Sequence, residues 1–166
     1  MARPRGWRPM TVDDLDAVVA IASVGFPDHF EDRDCFASRL SVFPDGCFIL
    51  DGEAGVKGYL ITYPWTADGA PVLNRPIDAL PEEASVLYLH DLALHPDVRG
   101  EGWSRSAMGA VMAVAARGDW PAVALVAVNE AVGFWQGHGF EVQQTPAMAA
   151  KLASYGADAR YMVRPV

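Results

Sequence analysis

Hydrophobic residues in the first half of the chain follow helical and strand spacings in turn. Apolar positions at i, i+3, i+4 and i+7 mark one buried helix face, formed by Leu15, Val18, Val19 and Ala22. Thr11 stands before this run as a capping residue, and the aspartates of the first turn suit the positive end of a helix. We predict, in chain order, a strand over 7–10, helices over 11–25 and 32–41, and a hairpin of strands over 47–50 and 56–63.

The second half opens with a mostly apolar strand over 86–94. Such a near-continuous apolar run is typical of a central strand covered on both faces. The other predicted elements are a helix over 102–117, a strand over 122–128, a helix over 130–137 capped by Asn129, and strands over 139–142 and 161–164. Residues 143–159 favour no single element. The order of elements predicts one α/β domain over 1–166, built on a mixed sheet.

Residues 64–81 form a long irregular connection between two predicted strands. They contain four of the chain's twelve prolines. Loops of this length often carry function, so two interpretations stay open: a loop on the substrate side of the domain, or a plain surface insertion.

Composition excludes several classes of partner. The 166 residues carry a formal net charge of −8, which repels nucleic acid and anionic membranes and mildly favours cationic partners such as amines. No apolar run reaches the about 20 residues of a membrane-spanning helix, and no apolar stretch follows the basic N-terminus. Cys35 and Cys47 fit neither a redox pair nor a zinc site. We expect a cytoplasmic protein without a metal site that binds neither nucleic acid nor membrane.

The turn between the strand over 86–94 and the following helix has the chemistry of an anion site. A helix N-terminus presents free backbone N–H groups and the positive end of the helix dipole. Gly100 and Gly102 let the backbone approach an anion closely, Ser104 adds a small hydroxyl donor, and Arg99 adds a positive charge. The P-loop pattern is absent, and Arg105 stands where a dinucleotide loop needs its third glycine. Taken alone, the turn is either a diphosphate loop or an ordinary tight turn.

Flanking residues resemble a known family. Residues 92–104 resemble motif A of the GNAT family of N-acetyltransferases, an apolar strand end and a proline followed by (R/Q)xxGx(G/A). Ser104 departs from Gly or Ala but stays small, and Glu101 stands where a basic or neutral residue is usual. Residues 129–140 resemble motif B, NxxAxxFYxxxGF, and residues 8–15 resemble the usual opening of the family.

This resemblance implies a fold and a co-substrate. The fold is a mixed, mostly antiparallel central sheet flanked by helices, in which the two central strands splay apart. Acetyl-CoA is the implied acyl donor: the strand end pairs with pantetheine, the turn holds the pyrophosphate, and a backbone N–H, that of Leu94, stabilises the tetrahedral oxyanion. The implied cofactor-binding residues are Leu92, Ala93, Leu94, Arg99, Gly100, Glu101, Gly102, Trp103, Ser104, Asn129, Phe134 and Trp135.

The acceptor amine must lose a proton before it attacks, and the strand over 86–94 offers two candidates. An amine with a pKa near 10 is mostly protonated at neutral pH. His90 and Asp91 are the candidate bases or water relays, and a histidine has an intrinsic pKa near 6.5. Strand alternation predicts Tyr88 and His90 on one face and Asp91 on the other. Residues 88–95 also resemble the arylalkylamine branch of the family, in which this strand carries His-Leu-His. The alternatives are a satisfied core residue for His90 and, for Asp91, a residue that pins a neighbouring loop or orients the substrate amine.

The residue that resemblance to the family would make the general acid is missing from this sequence. Motif B usually supplies a tyrosine that protonates the leaving thiolate, but Trp135 occupies that position. An indole N–H donates a hydrogen bond and is not a useful acid. Tyr161, Tyr155 or Tyr88 could replace it, or the thiolate leaves unaided.

A small amine with an apolar body is the expected substrate. The first helical pair and the loop before the central strand frame the acceptor pocket in such folds, and they carry aromatic residues together with the acidic Asp28 and Glu31. The alternatives are core packing for these aromatics, and, for the protein, acetylation of a protein N-terminus or lysine, or a non-catalytic acyl-CoA-binding module. A homodimer is a further option. The predicted substrate residues are Phe26, Phe30, Tyr63, Trp65 and Tyr88.

Overall fold

The computed structural model describes residues 5–28, 31–144 and 146–166. The strands are β1 Gly6–Pro9, β2 Cys47–Gly52, β3 Gly55–Trp65, β4 Val86–Leu94, β5 Ala122–Ala127, β6 Glu141–Val142 and β7 Arg160–Pro165. The helices are α1 Leu15–Gly25, α2 Arg33–Val42, α3 Trp103–Arg117, α4 Val132–Gln136 and α5 Pro146–Lys151. The strands form a seven-stranded sheet in the order β1-β2-β3-β4-β5-β7-β6.

The central strands β4 and β5 run parallel and separate after a short contact. All other neighbouring strands are antiparallel. The pairing of β4 with β5 is confined to Leu87 with Val123 and Tyr88 with Ala124. Beyond Tyr88 the two strands diverge, which opens a cleft in the middle of the sheet. The predicted mixed, mostly antiparallel sheet with splayed central strands is confirmed.

Helices cover both faces of the sheet and divide the core in two. One cluster holds the buried residues of α1 and α2 together with Val86 and Tyr88 of β4. The other holds the buried residues of α3 together with Leu87 and Leu89. Adjacent residues of β4 therefore alternate between two cores, which is why this strand reads as a continuous apolar run.

A β-bulge at His90 interrupts that alternation. On β3, Ile61 pairs with Asp91 and the next residue, Thr62, pairs with Leu89, so His90 is left unpaired. The extra residue shifts the following side chain to the other face. Asp91 accordingly lies on the face of α1 and α2, where it accepts a hydrogen bond from Tyr59. The prediction that alternation separates His90 from Asp91 was wrong, because alternation holds only for a strand without a bulge.

Most predicted elements are present, with differences at their ends. The β4 bounds match the prediction, whereas Val12–Asp14 form a 3-10 turn ahead of α1. The predicted cap at Asn129 was wrong: α4 begins at Val132 after Ala131, and Asn129 is exposed with a φ of 54°. Residues 143–159, unassigned from sequence, contain α5 and a 3-10 turn. Within the described ranges, no helix combines the length and apolar character needed to cross a membrane.

Candidate active site

The turn after β4 presents free helix N–H groups to a cavity. Gly100 and Gly102 have φ values of 80° and 88°, the left-handed region that favours glycine. Gly102 is the N-cap of α3 and supplies no side-chain acceptor, so the first N–H groups of the helix stay available to an anion. Arg99, Gly100 and Ser104 line a cavity of about 420 Å³ together with the end of β4.

Glu101 does not place its negative charge in this cavity. Its Oε1 accepts a hydrogen bond from Trp103 Nε1 at 3.0 Å and an ion pair from Arg5 Nη2 at 2.6 Å. Arg5 also lies over the Trp103 ring at 5.7 Å. The charge of this unusual acidic residue is thus balanced by Arg5, and the carboxylate also accepts a hydrogen bond from Trp103, outside the cavity lining.

The backbone of β4 has hydrogen-bonding groups directed into the cleft. His95 N–H donates to Lys57 O at 2.7 Å, so these two residues form a hydrogen-bonded pair of the antiparallel ladder. Such pairs alternate with pairs whose N–H and C=O groups point away from the partner strand. Leu94, opposite Gly58, and Leu92, opposite Leu60, are of the second kind. Their polar groups face the gap toward β5, and Leu94 O already accepts from Arg99 Nε at 3.2 Å.

A second cavity, of about 160 Å³, continues the first toward α1 and α2. Phe26, Leu92 and Phe134 line both cavities and mark their junction. The second cavity is close in size to the engineered cavity of about 150 Å³ that binds benzene. Its apolar walls come from α1, from α2, from the connection between β3 and β4, and from the end of β5. The residues are Val19, Ala22, Phe36, Leu73, Val126 and Val128.

His90 lies at the wall of this second cavity with both ring nitrogens engaged. Nε2 lies 2.8 Å from Glu31 Oε1, and Nδ1 lies 2.9 Å from the Tyr63 hydroxyl. A carboxylate only accepts hydrogen bonds, so Nε2 carries the proton in this contact. The side chain of His90 is 3% exposed. Tyr63 is fully buried and sits behind His90, on the side away from the cavity lining.

Glu31 is held by a buried arginine. Arg39 donates Nη1 to Glu31 Oε1 at 3.1 Å and Nη2 to Oε2, and the backbone N–H of Asn74 donates to Oε2 at 3.1 Å. Burial alone would raise the pKa of Glu31, but the charges and hydrogen bonds of His90 and Arg39 outweigh it and hold that pKa well below its usual range. Both oxygens of Glu31 are therefore occupied by protein donors.

Asp91 is the second carboxylate of the cavity and is less constrained. Its Oδ2 accepts from the Tyr59 hydroxyl at 3.2 Å and lies 4.0 Å from His90 Nε2. Among the residues that the structure describes, no hydrogen-bond donor reaches Oδ1. Burial raises the pKa of Asp91, and the nearby Glu31 charge adds to this against the opposing effects of His90, Arg39 and Tyr59.

The ligand-type atoms of Glu31, His90 and Asp91 lie within 4.8 Å of one another. These side chains are of the kinds that bind divalent metals. However, Arg39 donates to both Glu31 oxygens and places a fixed positive charge beside them. The arrangement suits a hydrogen-bonded charge network better than a metal centre.

The two cavities bring together most of the predicted site residues. The first is lined by the predicted Leu92, Ala93, Leu94, Arg99, Gly100, Ser104 and Phe134. The second is lined by the predicted Phe26, Tyr88, His90, Asp91 and Trp135. Tyr63, Trp65, Glu101, Gly102, Trp103 and Asn129 line neither cavity. Phe30, predicted to contact substrate, lies outside the described residues.

Two residues of the network were not predicted from the sequence. Arg39 is fully buried in α2, and Tyr59 is fully buried in β3. A lone arginine on a short helix carries no motif, and a tyrosine in an apolar strand reads as core. Only an acidic residue such as Glu31, placed near a candidate base, could have suggested that a buried cation lay nearby.

Trp135 and two tyrosines surround the inner end of the cleft. Trp135 is 8% exposed and packs edge-on against Phe140 at 5.6 Å. Tyr88 and Tyr155 also line the second cavity, and the Tyr155 hydroxyl donates to Pro71 O. Tyr161 does not line it, and its hydroxyl accepts from Asp68 N–H. Burial raises the pKa of Tyr88 and of Tyr155, so neither is a readily ionised acid.

A splayed parallel pair of strands, a turn with free helix N–H groups and a polar inner cavity characterise this α/β domain, and comparison with known proteins identifies its family. The model of the acetyltransferase (GNAT) family matches residues 13–140. This chain belongs to the acetyltransferase (GNAT) family and is an acyltransferase. No curated protein matches the sequence.

Solved structures share the fold at low sequence identity. GphF, a GNAT-like decarboxylase in complex with isobutyryl-CoA, is 16% identical with a TM-score of 0.77, over 96% of this chain and 98% of that one. Ard1 from Thermoplasma volcanium is 14% identical with a TM-score of 0.73, over 97% of both chains. The ribosomal-protein-S18-alanine N-acetyltransferase from Escherichia coli is 16% identical with a TM-score of 0.66, over 98% and 94%. These likenesses establish the fold.

Proposed function

We propose that this enzyme transfers the acetyl group of acetyl-CoA to a primary amine of a small molecule, by direct attack in a ternary complex. One observation carries the proposal: the cavity at the anion-binding turn continues into a small cavity that contains two carboxylates. The pyrophosphate would lie on Arg99, Gly100 and Ser104, and the pantetheine would pair with Leu92 and Leu94. The thioester would then reach the junction of the cavities.

In this arrangement the Leu94 N–H is the candidate oxyanion donor. It points away from β3 into the cleft, where the thioester carbonyl would lie. His90 and Asp91 are the candidate proton acceptors for the ammonium group. The thiolate leaves with a proton from the attacking nitrogen, so the reaction proceeds without a tyrosine at position 135. Acetyl-CoA serves as a co-substrate, and the proposed chemistry uses no metal ion.

The size and cover of the inner cavity favour a small substrate over a peptide. A cavity of about 160 Å³ accepts a group close to benzene in size. The connection between β3 and β4 packs over it through three contacts: Leu73 lines the cavity, Asn74 N–H binds Glu31, and Pro71 O accepts from Tyr155. A protein N-terminus or lysine would need an open groove on this side.

A thiol-release assay with acetyl-CoA over a panel of amines, amino-terminal peptides and lysine peptides tests the proposal. Turnover of one or more small amines with kcat/KM well above that of any peptide supports it. Turnover of peptides alone would make the enzyme a protein acetyltransferase. Binding of CoA by calorimetry without turnover of any acceptor would make the chain an acyl-CoA-binding module, the role for which Trp135 is the best argument.

Location and assembly complete the proposal. Cys35 and Cys47 are buried free thiols, which fits a reducing compartment such as the cytoplasm. A homodimer is the alternative to a monomer. Light scattering at assay concentrations decides the oligomeric state.

A further inference from the structure

The ion pair of Arg39 and Glu31 is unusually costly for its place in the fold. The side chains are 0% and 4% exposed. Removing both charges from water costs several kcal/mol each, and well-packed apolar residues in place of such a pair are often as stable or more stable. Arg39 Nε also lacks a hydrogen-bond partner among the described residues. Stability alone does not explain why the chain places this pair beside the cavity.

The pair fixes the orientation of His90. Arg39 holds Glu31 by two hydrogen bonds, and Glu31 Oε1 in turn receives the Nε2 proton of His90 at 2.8 Å. On the other side of the ring, Nδ1 is satisfied by the Tyr63 hydroxyl at 2.9 Å. With both nitrogens engaged, His90 offers no free lone pair to an amine in the cavity. The Asp91 carboxylate, whose Oδ2 lies 4.0 Å from His90 Nε2, does offer a free lone pair to such an amine.

We propose that Arg39 and Glu31 are positioning residues that fix His90 with its proton on Nε2, and that Asp91 is the catalytic residue that accepts the proton of the substrate ammonium. This proposal rests on the proposed function. It reassigns His90 from a base to a part of the cavity wall beside Asp91. A histidine held by a carboxylate on one side and a hydroxyl on the other is suited to that task.

The proposed step balances as follows. The ammonium gives one proton to Asp91, which leaves a neutral amine with a free electron pair. The amine nitrogen forms a bond to the thioester carbon, and the carbon–sulfur bond then breaks with its electron pair on sulfur. The second proton of the nitrogen passes to the thiolate, which gives the amide and CoA. Asp91 returns its proton to solvent through the open cavity.

The decisive variant removes both charges of the pair while keeping the volume. Glu31→Leu combined with Arg39→Met is expected to fold, because removing the desolvation cost of both charges offsets the loss of the Glu31 acceptor for His90 Nε2–H and Asn74 N–H. Its kcat is expected to fall at least tenfold with little change in KM for acetyl-CoA. The matched control is Asp16→Leu with Arg33→Met. This exposed ion pair, at 3.0 Å, joins α1 to α2, and its removal should leave kcat at the wild-type value.

A spectroscopic measurement tests the positioning directly. In the wild type, the His90 Nε2 proton should give a downfield NMR signal protected from exchange, assigned by its loss in His90→Gln. The signal should vanish in the Glu31→Leu, Arg39→Met variant and persist in the exposed-pair control. Absence of the signal in the wild type would overturn the positioning role, whether or not the enzyme turns over any amine.

Kinetics decide the rest of the proposal. A folded double variant with wild-type kcat would show that the pair is structural only. If that variant does not fold, the NMR measurement on the wild type decides the positioning role, because absence of the protected His90 Nε2 signal refutes it. Wild-type kcat in Asp91→Asn would refute the role of Asp91. Failure of the wild type on every amine would instead refute the proposed function, and the NMR comparison would still decide the positioning.

Discussion

His90 and Asp91 are consecutive residues of β4, yet both side chains lie on the face of the sheet that α1 and α2 cover. The bulge that leaves His90 unpaired against β3 produces this arrangement. It brings the Asp91 carboxylate to 4.0 Å from the imidazole and turns it toward the inner cavity. In an unbulged strand Asp91 would point into the apolar core beneath α3. The bulge is therefore what makes a two-residue polar site out of one strand.

Asp91→Asn should separate stability from activity. Burial raises the pKa of Asp91 in the folded state, so the folded protein binds this proton more tightly than the unfolded chain. The stability contributed by Asp91 is present below its unfolded pKa and is lost as pH rises through the folded pKa. At pH 7 the Asp91 charge thus destabilises the fold, and Asp91→Asn should raise the free energy of unfolding. The same substitution should lower kcat by about 10²–10⁴.

Urea unfolding and steady-state kinetics at pH 7 measure the two effects. Asp97→Asn is the control, since that side chain is 65% exposed and pairs with Lys57 and His95 near the end of β4. It should change neither quantity appreciably. A destabilised Asp91→Asn protein would show that the Asp91 charge is compensated in the fold better than its surroundings indicate.

Tyr59→Phe should move the acidic limb of the activity profile to higher pH. The hydrogen bond from Tyr59 stabilises the charged form of Asp91 and so lowers its pKa, against the dominant effect of burial. The other groups that face Asp91 are His90, Glu31 and Arg39, and this substitution leaves them in place. Losing the phenol should therefore raise the pKa further. The measurement is kcat/KM between pH 5 and 9, and a limb that stays in place or moves down would contradict Asp91 as the titrating base.

Asp14→Asn should weaken the fold at neutral pH and have little effect in acid. A hydrogen-bonded ion pair with Arg8, helped by the Thr11 N–H against the cost of burial, lowers the pKa of Asp14 to about 2. A lowered pKa stabilises the fold above the unfolded value near 4, and that stability is lost as pH falls toward 2. We expect a loss of about 1–2 kcal/mol at pH 7, allowing for partial solvent screening, which shrinks below pH 3.

Chemical denaturation at pH 7 and at pH 2.5, each run on wild type and variant, gives this difference, because pH 7 lies above both pKa values of Asp14 and pH 2.5 lies close to the folded one. Asp16→Asn is the control, because Asp16 pairs with Arg33 at the surface with 90% of its side chain exposed. Its effect should stay within about 0.5 kcal/mol. An Asp14→Asn penalty of equal size at both pH values would show that packing, and not charge, carries the contribution.

The sequence pattern predicts those parts of the fold that depend on local spacing. The bounds of β4 follow from its apolar run, and the predicted helix over 32–41 agrees with α2 to within one residue at each end. The bulge at His90 depends on how β3 pairs with β4, which no local pattern contains. Asn129 looked like a helix cap because it precedes a helical stretch. The chain instead makes a tight turn there, with positive φ at Asn129 and Glu130, before α4 begins.

The inner site was harder to predict than the turn over 99–104 for the same reason. The turn is one contiguous segment whose glycines and helix start are visible in order. The inner network joins Glu31, Arg39, Tyr59 and β4, which come together only through the packing of α2 on the sheet. Arg39 has no sequence signal at all, since its fully buried position is set by tertiary structure.

Gly102→Ala should weaken binding of acetyl-CoA through the backbone alone. Gly102 has a φ of 88°, and a Cβ built there meets no atom within 4 Å, so strain and not steric contact is the expected cost. Alanine in the left-handed region costs about 1–2 kcal/mol. If relief of that strain turns the N–H groups at the start of α3 away from the pyrophosphate, Kd for acetyl-CoA rises about fivefold or more.

Gly109→Ala is the matched control: it lies inside α3, its Cβ also meets nothing within 4 Å, and its φ is not in the strained region. That variant should keep wild-type affinity and gain about 0.5–1 kcal/mol of stability. Calorimetric titration with acetyl-CoA compares the three proteins, and equal affinities for all three would remove Gly102 from the diphosphate site.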